Sequence, residues 1–170
     1  MRPLRQFLDG AIYYVTSEIN RNEMDLKPSR IKTMFLTFIK KAKQKYPFQL
    51  LNFCIMDNHI NLLIKPERGQ SLSKIMQWIK GNFAKYWNKI HNKQSGHLWG
   101  KRFFSKIIND ARQFARVFDY IDKNPEQAGM VKQAEDWEFG GLYHHRQGRT
   151  DVVEIPRTAI LELCFPGIGR

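Results

Sequence analysis

The stretch FQLLNFCIMDNHINLLI, Phe48 to Ile64, decides the fold. Two apolar, strand-like runs, Phe48–Met56 and His59–Ile64, flank Asp57–Asn58, residue types whose side chains bond their own backbone and tolerate the conformations of a tight turn. The segment reads as an antiparallel hairpin. Upstream, Ala11–Ser17 (AIYYVTS) is β-branched and aromatic between Gly10 and the polar run EINRNEMD, the pattern of a strand leaving into a loop. Between that strand and the hairpin, Pro28 and Ser29 signal a helix start. Ile31, Met34, Phe35, Phe38, Ile39 and Ala42 then recur at amphipathic helical spacing until Pro47. After the hairpin a second helix starts near Ser71, with Leu72, Ile75, Met76, Ile79, Phe83, Tyr86, Trp87 and Ile90 on one stripe and Lys74, Lys80, Lys85 and Lys89 on the other face. HNKQSGHLWGKRF is a basic, glycine-containing loop, and Phe103–Ile108 reads as a fourth strand.

Strand, helix, strand, strand, helix, strand is the order of the ferredoxin-like split βαβ, an α+β architecture with an antiparallel sheet and helices on one face. A further helix, from the N-cap Asp110 to Asn124 with Pro125 as its stop, is an addition to that unit. Beyond Gly129 the pattern weakens. Trp137 and Phe139 read as packing anchors, His144 and His145 as an exposed polar loop, and a short helix follows Pro156. The expected organisation is one domain over residues 1–130 and a C-terminal extension over 131–170.

With 170 residues, 42% hydrophobic and 13% aromatic, the chain suffices for one well-cored domain. Its 28 Lys and Arg against 16 Asp and Glu give +12, which makes a polyanion the first candidate partner. The charge is uneven: residues 1–109 carry 20 basic and 6 acidic groups, net +14, and residues 110–170 carry 8 and 10, net −2. Leu26–Met56 and Ser71–Asn109 hold no acid at all, and Lys40, Lys41, Lys43 and Lys45 cluster in the first of these windows. Two cysteines, Cys54 and Cys164, are too few for a disulfide framework, so a reducing cytoplasm is the expected setting. No apolar run has the length of a membrane span, and no membrane partner is expected.

Alternation puts His59, Asn61 and Leu63 on one face of their strand. In the helix over 110–124, Phe114, Val117, Phe118 and Ile121 form the core stripe and Tyr120 lies off it, with Arg116 and Asn124 one turn to either side on the same flank. On these patterns alone, His59 also suits a satisfied structural histidine and Tyr120 an amphipathic flank tyrosine.

The blocks MDNHINLLI (56–64), SLSKIMQW (71–78), GHLWGKRF (96–103) and DYIDKNPEQAGMV (119–131) resemble, in order, those of the single-tyrosine HUH transposases, among them the REP-associated tyrosine transposases of bacteria. The resemblance implies a ferredoxin-like fold and a divalent cation, Mg²⁺ or Mn²⁺, held by a His-hydrophobic-His motif. It also implies a helix tyrosine that cuts and rejoins single-stranded, hairpin-forming DNA through a 5′-phosphotyrosine. By position, Tyr120 takes the nucleophile's place, His59 the first histidine's, and Asn124 that of a third metal ligand. Such a tyrosine conserves the energy of the broken bond in its adduct, and the cation polarises the scissile phosphate. The resemblance further implies a bacterial, nucleoid-associated protein acting as a monomer or a homodimer.

The motif here reads His-Ile-Asn: Asn61 stands where the second histidine is expected, and an amide oxygen is a weaker donor than imidazole. Asp57 and Asn58 read as turn formers. DNA contacts are expected from Lys93, His97, Trp99, Lys101 and Arg102, which mix phosphate-binding charge with stacking faces, and Arg116 and Lys123 are candidate phosphate neighbours. Two readings stay open: a metal-dependent tyrosine endonuclease and strand transferase, favoured by Tyr120 with Asn124, and a degenerate or domesticated relative that binds hairpin DNA or RNA without cutting, favoured by Asn61. An RNA-binding domain of the RRM type is disfavoured because its aromatic signature is absent.

Overall fold

The computed structural model describes residues 6–157 and 160. Its elements are β1 (Ile12–Glu18), α1 (Ser29–Lys45), β2 (Phe48–Ile55), β3 (His59–Pro66), α2 (Leu72–Ile90), β4 (Phe104–Ile108), α3 (Ala111–Gln127) and a short α4 (Gly141–Arg146). The strands form one sheet in the order β2-β3-β1-β4, antiparallel at every pairing, as the split βαβ requires. Both long helices after the hairpin begin at side-chain caps: Ser71 accepts from the Lys74 N–H (3.3 Å) and Asp110 from the Gln113 N–H (2.7 Å).

Each face of the sheet has its own core. Val15, Leu62 and Ile64 pack against Phe35 and Ile39 of α1 and Ile75, Ile79 and Phe83 of α2. On the opposite face Ile12, Leu51, Cys54, Leu63 and Ile108 pack against Phe114 and Ile121 of α3. The added helix therefore covers the side of the sheet that the split βαβ alone leaves bare. At about 1.5–3 kcal/mol for each large apolar side chain buried, this second core binds α3 firmly to the sheet.

Two expectations are corrected, and one basic cluster is found paired. Pro125 does not stop α3, which continues to Gln127. Proline removes only its own N–H, and the following donors still bond, Ala128 N–H to the Asn124 carbonyl (3.0 Å) and Met130 N–H to that of Pro125 (2.9 Å). His144 and His145 lie on α4 rather than in an exposed loop, and His144 is buried edge-on against Phe53, ring centroids 5.1 Å apart. The lysine cluster of α1 is not a bare charged face: Lys40 pairs with Asp151 (2.5 Å) and Lys43 with Glu154. The net-negative tail thus offsets charge on the net-positive part. Trp137 and Phe139 are packing anchors, the former donating its Nε1–H to the Ile55 carbonyl (3.1 Å). The helix expected after Pro156 and Cys164 fall largely or wholly outside the described residues.

Candidate active site

The β1–β3 register sets Glu18 opposite His59, Thr16 opposite Asn61 and Tyr14 opposite Leu63, all on the α3 side of the sheet. His59 opens β3 directly after the hairpin turn, and two contacts fix it there. Lys32 of α1, almost fully buried, donates through Nζ to the carbonyls of Leu26 (2.7 Å) and Lys27 (2.9 Å) and to Asp57 Oδ1 (2.6 Å), so the turn is tied to the helix. Asn58 Oδ1 lies 2.7 Å from His59 Nδ1, which leaves Nε2 as the ring's outward nitrogen. Burial lowers the His59 pKa, against its hydrogen bonding to the Asn124 side chain and the charge of Glu18, so the imidazole is neutral near pH 7 and keeps a lone pair to offer.

Tyr120 is placed by a bulge in β2. The register slips between Leu50 and Asn52, so Leu51 and Asn52 both point toward α3. Asn52, fully buried, donates to Asp122 Oδ1 (2.8 Å) and to the Phe118 carbonyl (3.3 Å), two residues to either side of Tyr120. Gly141 presses against that amide: a Cβ there would stand 2.0 Å from Asn52 Oδ1. So clamped, α3 presents Tyr120 47% exposed at the border of the sheet face, its ring edge-on to Tyr14 with centroids 6.3 Å apart. The Tyr14 hydroxyl donates to Asn61 Oδ1 (2.8 Å). Burial, and then the neighbouring Tyr120, push the Tyr14 pKa up to about 12, so it remains a neutral donor. The other arm of the Asn61 amide, Nδ2, is buried and finds no hydrogen-bond partner.

One side of the sheet thus gathers these groups: Tyr14 touches both Tyr120 and Asn61, and Asn124 is hydrogen-bonded to His59. An exposed phenol is a nucleophile, and a neutral imidazole with amide oxygens can ligate a hard cation. Arg116 and Lys123 are exposed on the same helix, Lys123 in a salt bridge with Asp119 (3.0 Å). The expected DNA contacts lie apart from this cluster, in the loop between α2 and β4. That loop docks at the same sheet end as His59: Gly100 N–H bonds the Glu18 carbonyl (3.1 Å) and Asn20 N–H bonds that of Leu98 (2.8 Å). Gly100 is suited to the close approach, since a Cβ there would be 3.1 Å from Asn20 Cα. Lys93, His97, Lys101 and Arg102 are exposed. Trp99 is half-buried against Phe35 and Phe83 and donates its Nε1–H to the Lys80 carbonyl (3.0 Å), leaving one side to line a groove of about 540 Å³ with Gln77, Lys80 and Arg102.

Sequence reasoning missed Tyr14, Glu18, Lys32 and Asn52. β1 carries Tyr13 and Tyr14 side by side, so alternation alone does not say which one enters the site. Asn52 sits in a run that reads as continuous core. Asn58, read as a turn former, also orients His59.

The class of this split βαβ fold with its added tyrosine-bearing helix is that of the DNA-cleaving transposases: the family model described as "Transposase IS200 like" matches residues 11–124, and the chain belongs to that family. Among its relatives, the REP-associated tyrosine transposase of Escherichia coli K12 is 25% identical over 140 residues, covering 82% of this chain and 81% of its own. A Haemophilus influenzae protein that carries the same name provisionally is 27% identical over 158 residues, covering 87% and 88%. The solved structure of a REP-associated tyrosine transposase bound to a REP hairpin superposes with a TM-score of 0.72 at 24% identity, covering 91% of this chain and 89% of that one, a likeness of fold.

Proposed function

We propose that the chain binds hairpin-forming single-stranded DNA and cuts and rejoins it through Tyr120, with a divalent cation at His59. The observation that carries this reading is the exposed phenol of Tyr120 on a clamped helix, one turn before an asparagine bonded to a neutral His59. The Tyr120 hydroxyl gives up its proton to solvent as its oxygen attacks phosphorus and forms a P–O bond, while the bond to the 3′ oxygen breaks and that oxygen takes a proton from solvent, so no net proton is consumed. The phosphodiester energy stays in the 5′-phosphotyrosine, and attack by a 3′-hydroxyl reverses the step, so rejoining needs no nucleotide cofactor. The related protein solved with a REP hairpin supports that class of substrate, and the basic loop beside Glu18 supplies the charge to grip it.

The donor set fits Mg²⁺ or Mn²⁺: His59 Nε2, the Asn124 amide oxygen, and Asn61 Oδ1, which keeps a second lone pair beside the one that accepts from Tyr14. Among the described residues no three His, Cys, Asp or Glu converge, so the site depends on such weaker donors. When bound, the cation would polarise the phosphate and offset charge as the phenolate attacks. Asn58 holds the imidazole's orientation, and Tyr14 holds Asn61.

The test is incubation with labelled hairpin oligonucleotides and Mn²⁺ or Mg²⁺, followed by denaturing electrophoresis. A denaturation-resistant protein–DNA adduct that Tyr120→Phe abolishes is the expected result. The Tyr14–Asn61 hydrogen bond, which engages the residue standing in the second histidine's place, favours a second reading: a binder that does not cut. Hairpin binding with no adduct in either metal establishes that alternative.

A further inference from the structure

Asn61 brings no charge to the site, and its carbonyl is hydrogen-bonded to Tyr14. With His59 and Asn124 also neutral, a cation held by these three would have no anionic ligand in a stretch of chain whose formal charge is +14 over residues 1–109. A carboxylate within reach would strengthen the hold on a divalent cation in such surroundings before any phosphate arrives. Of the six acids in that stretch, Asp57 is committed to Lys32. Glu18 is not. It lies directly opposite His59 in the β1–β3 register, on the same face, and its charge acts on the imidazole. Directly opposed residues hold their Cβ atoms about 4.5–5.5 Å apart, within the reach of a glutamate side chain. The side chain is exposed and forms no salt bridge among the described residues. Its backbone carbonyl is bonded to Gly100 of the basic loop, so this position is fixed where gripped DNA would enter the site.

We propose that Glu18 is a carboxylate ligand of the catalytic divalent cation, taking over across the strand pair from His59 the place that Asn61 fills only weakly. This rests on the metal-assisted reading of the site. The carboxylate lowers the net charge around the cation and the approaching phosphate without changing the nucleophile.

The experiment is Mn²⁺ titration of the full chain by calorimetry, with and without a hairpin oligonucleotide, for wild type, Glu18→Gln, Glu18→Asp and His59→Ala. Hairpin affinity in EDTA and thermal melting serve as folding controls. The expected result is at least a tenfold weaker Mn²⁺ affinity in Glu18→Gln, retention within about threefold in Glu18→Asp, and unchanged melting and EDTA-state hairpin binding in both. If Glu18→Gln binds Mn²⁺ like wild type while His59→Ala does not, Glu18 is no ligand and the metal-assisted reading stands. If wild type itself binds no Mn²⁺ even with hairpin present, the metal-assisted reading falls and this proposal with it.

Discussion

Replacing Lys32 by methionine keeps the apolar stem of the side chain and removes its ammonium. Three acceptors lose their donor: the Leu26 and Lys27 carbonyls and Asp57 Oδ1. Leaving one member of a buried ion pair behind costs about 3–5 kcal/mol, and a stranded buried carbonyl roughly 1–3 kcal/mol. The lysine side chain is 2% exposed but that of Asp57 is 20% exposed, so water recovers part of the loss for the carboxylate. The pair is therefore expected near its lower bound, about 3 kcal/mol, and the buried Leu26 carbonyl adds about 1 kcal/mol, about 4 kcal/mol in all. Adding Asp57→Asn to Lys32→Met removes the stranded charge and should return about 1 kcal/mol of it. Urea unfolding followed by tryptophan fluorescence measures both, with the midpoint falling and the slope unchanged. Because Asp57 belongs to the turn that presents His59, Lys32→Met should also weaken Mn²⁺ binding. A loss below about 1 kcal/mol, outside the range for breaking a buried pair, refutes the view that Lys32 holds the turn.

Other outcomes follow from the same geometry. Gly141→Ala pushes a methyl onto Asn52 Oδ1 and should cost about 1–3 kcal/mol as an overpacked site, with a lower adduct yield because the clamp on α3 moves; unchanged urea stability contradicts that clamp. Burial depresses the His59 pKa below its ordinary 6.5, so the stability it contributes is present above pH 6.5 and is lost as pH falls through the folded-state value. His59→Gln should flatten the acid limb of stability against pH, leaving the share that His144 contributes in the same direction, and parallel wild-type and variant profiles would count against it. Lys101→Ala with Arg102→Ala should reduce the slope of log affinity against log salt by roughly 1.4 for a single strand, about 0.7 for each phosphate that is no longer neutralised. An unchanged slope moves the grip away from that loop.

The hairpin, both amphipathic helices, the fourth strand and the ferredoxin-like order were legible because each follows a local period that tertiary packing did not override. The shared faces of the candidate residues were legible for the same reason: His59 and Asn61 are two residues apart in a strand, and Tyr120 and Asn124 one turn apart in a helix. What was not legible depends on pairing across the chain. The bulge at Leu51 breaks alternation in a run that is apolar on both faces, so Asn52 shows its role only once α3 lies over it. Glu18 gains meaning from its register with His59, and Lys32 from carbonyls brought to it by a loop. The end of α3 was misread because a proline in the last turn removes one hydrogen bond and leaves the next ones intact.

The central claim is that the phenol of Tyr120 carries the cut strand, and the most direct test is to isolate the hairpin adduct, digest it with trypsin and sequence the modified peptide by tandem mass spectrometry. The account predicts a 5′-phosphodeoxyribonucleotide on Tyr120, in the peptide Val117–Lys123 that cleavage after Arg116 and Lys123 releases. A nucleotide on Tyr14, or on any other residue, would contradict it.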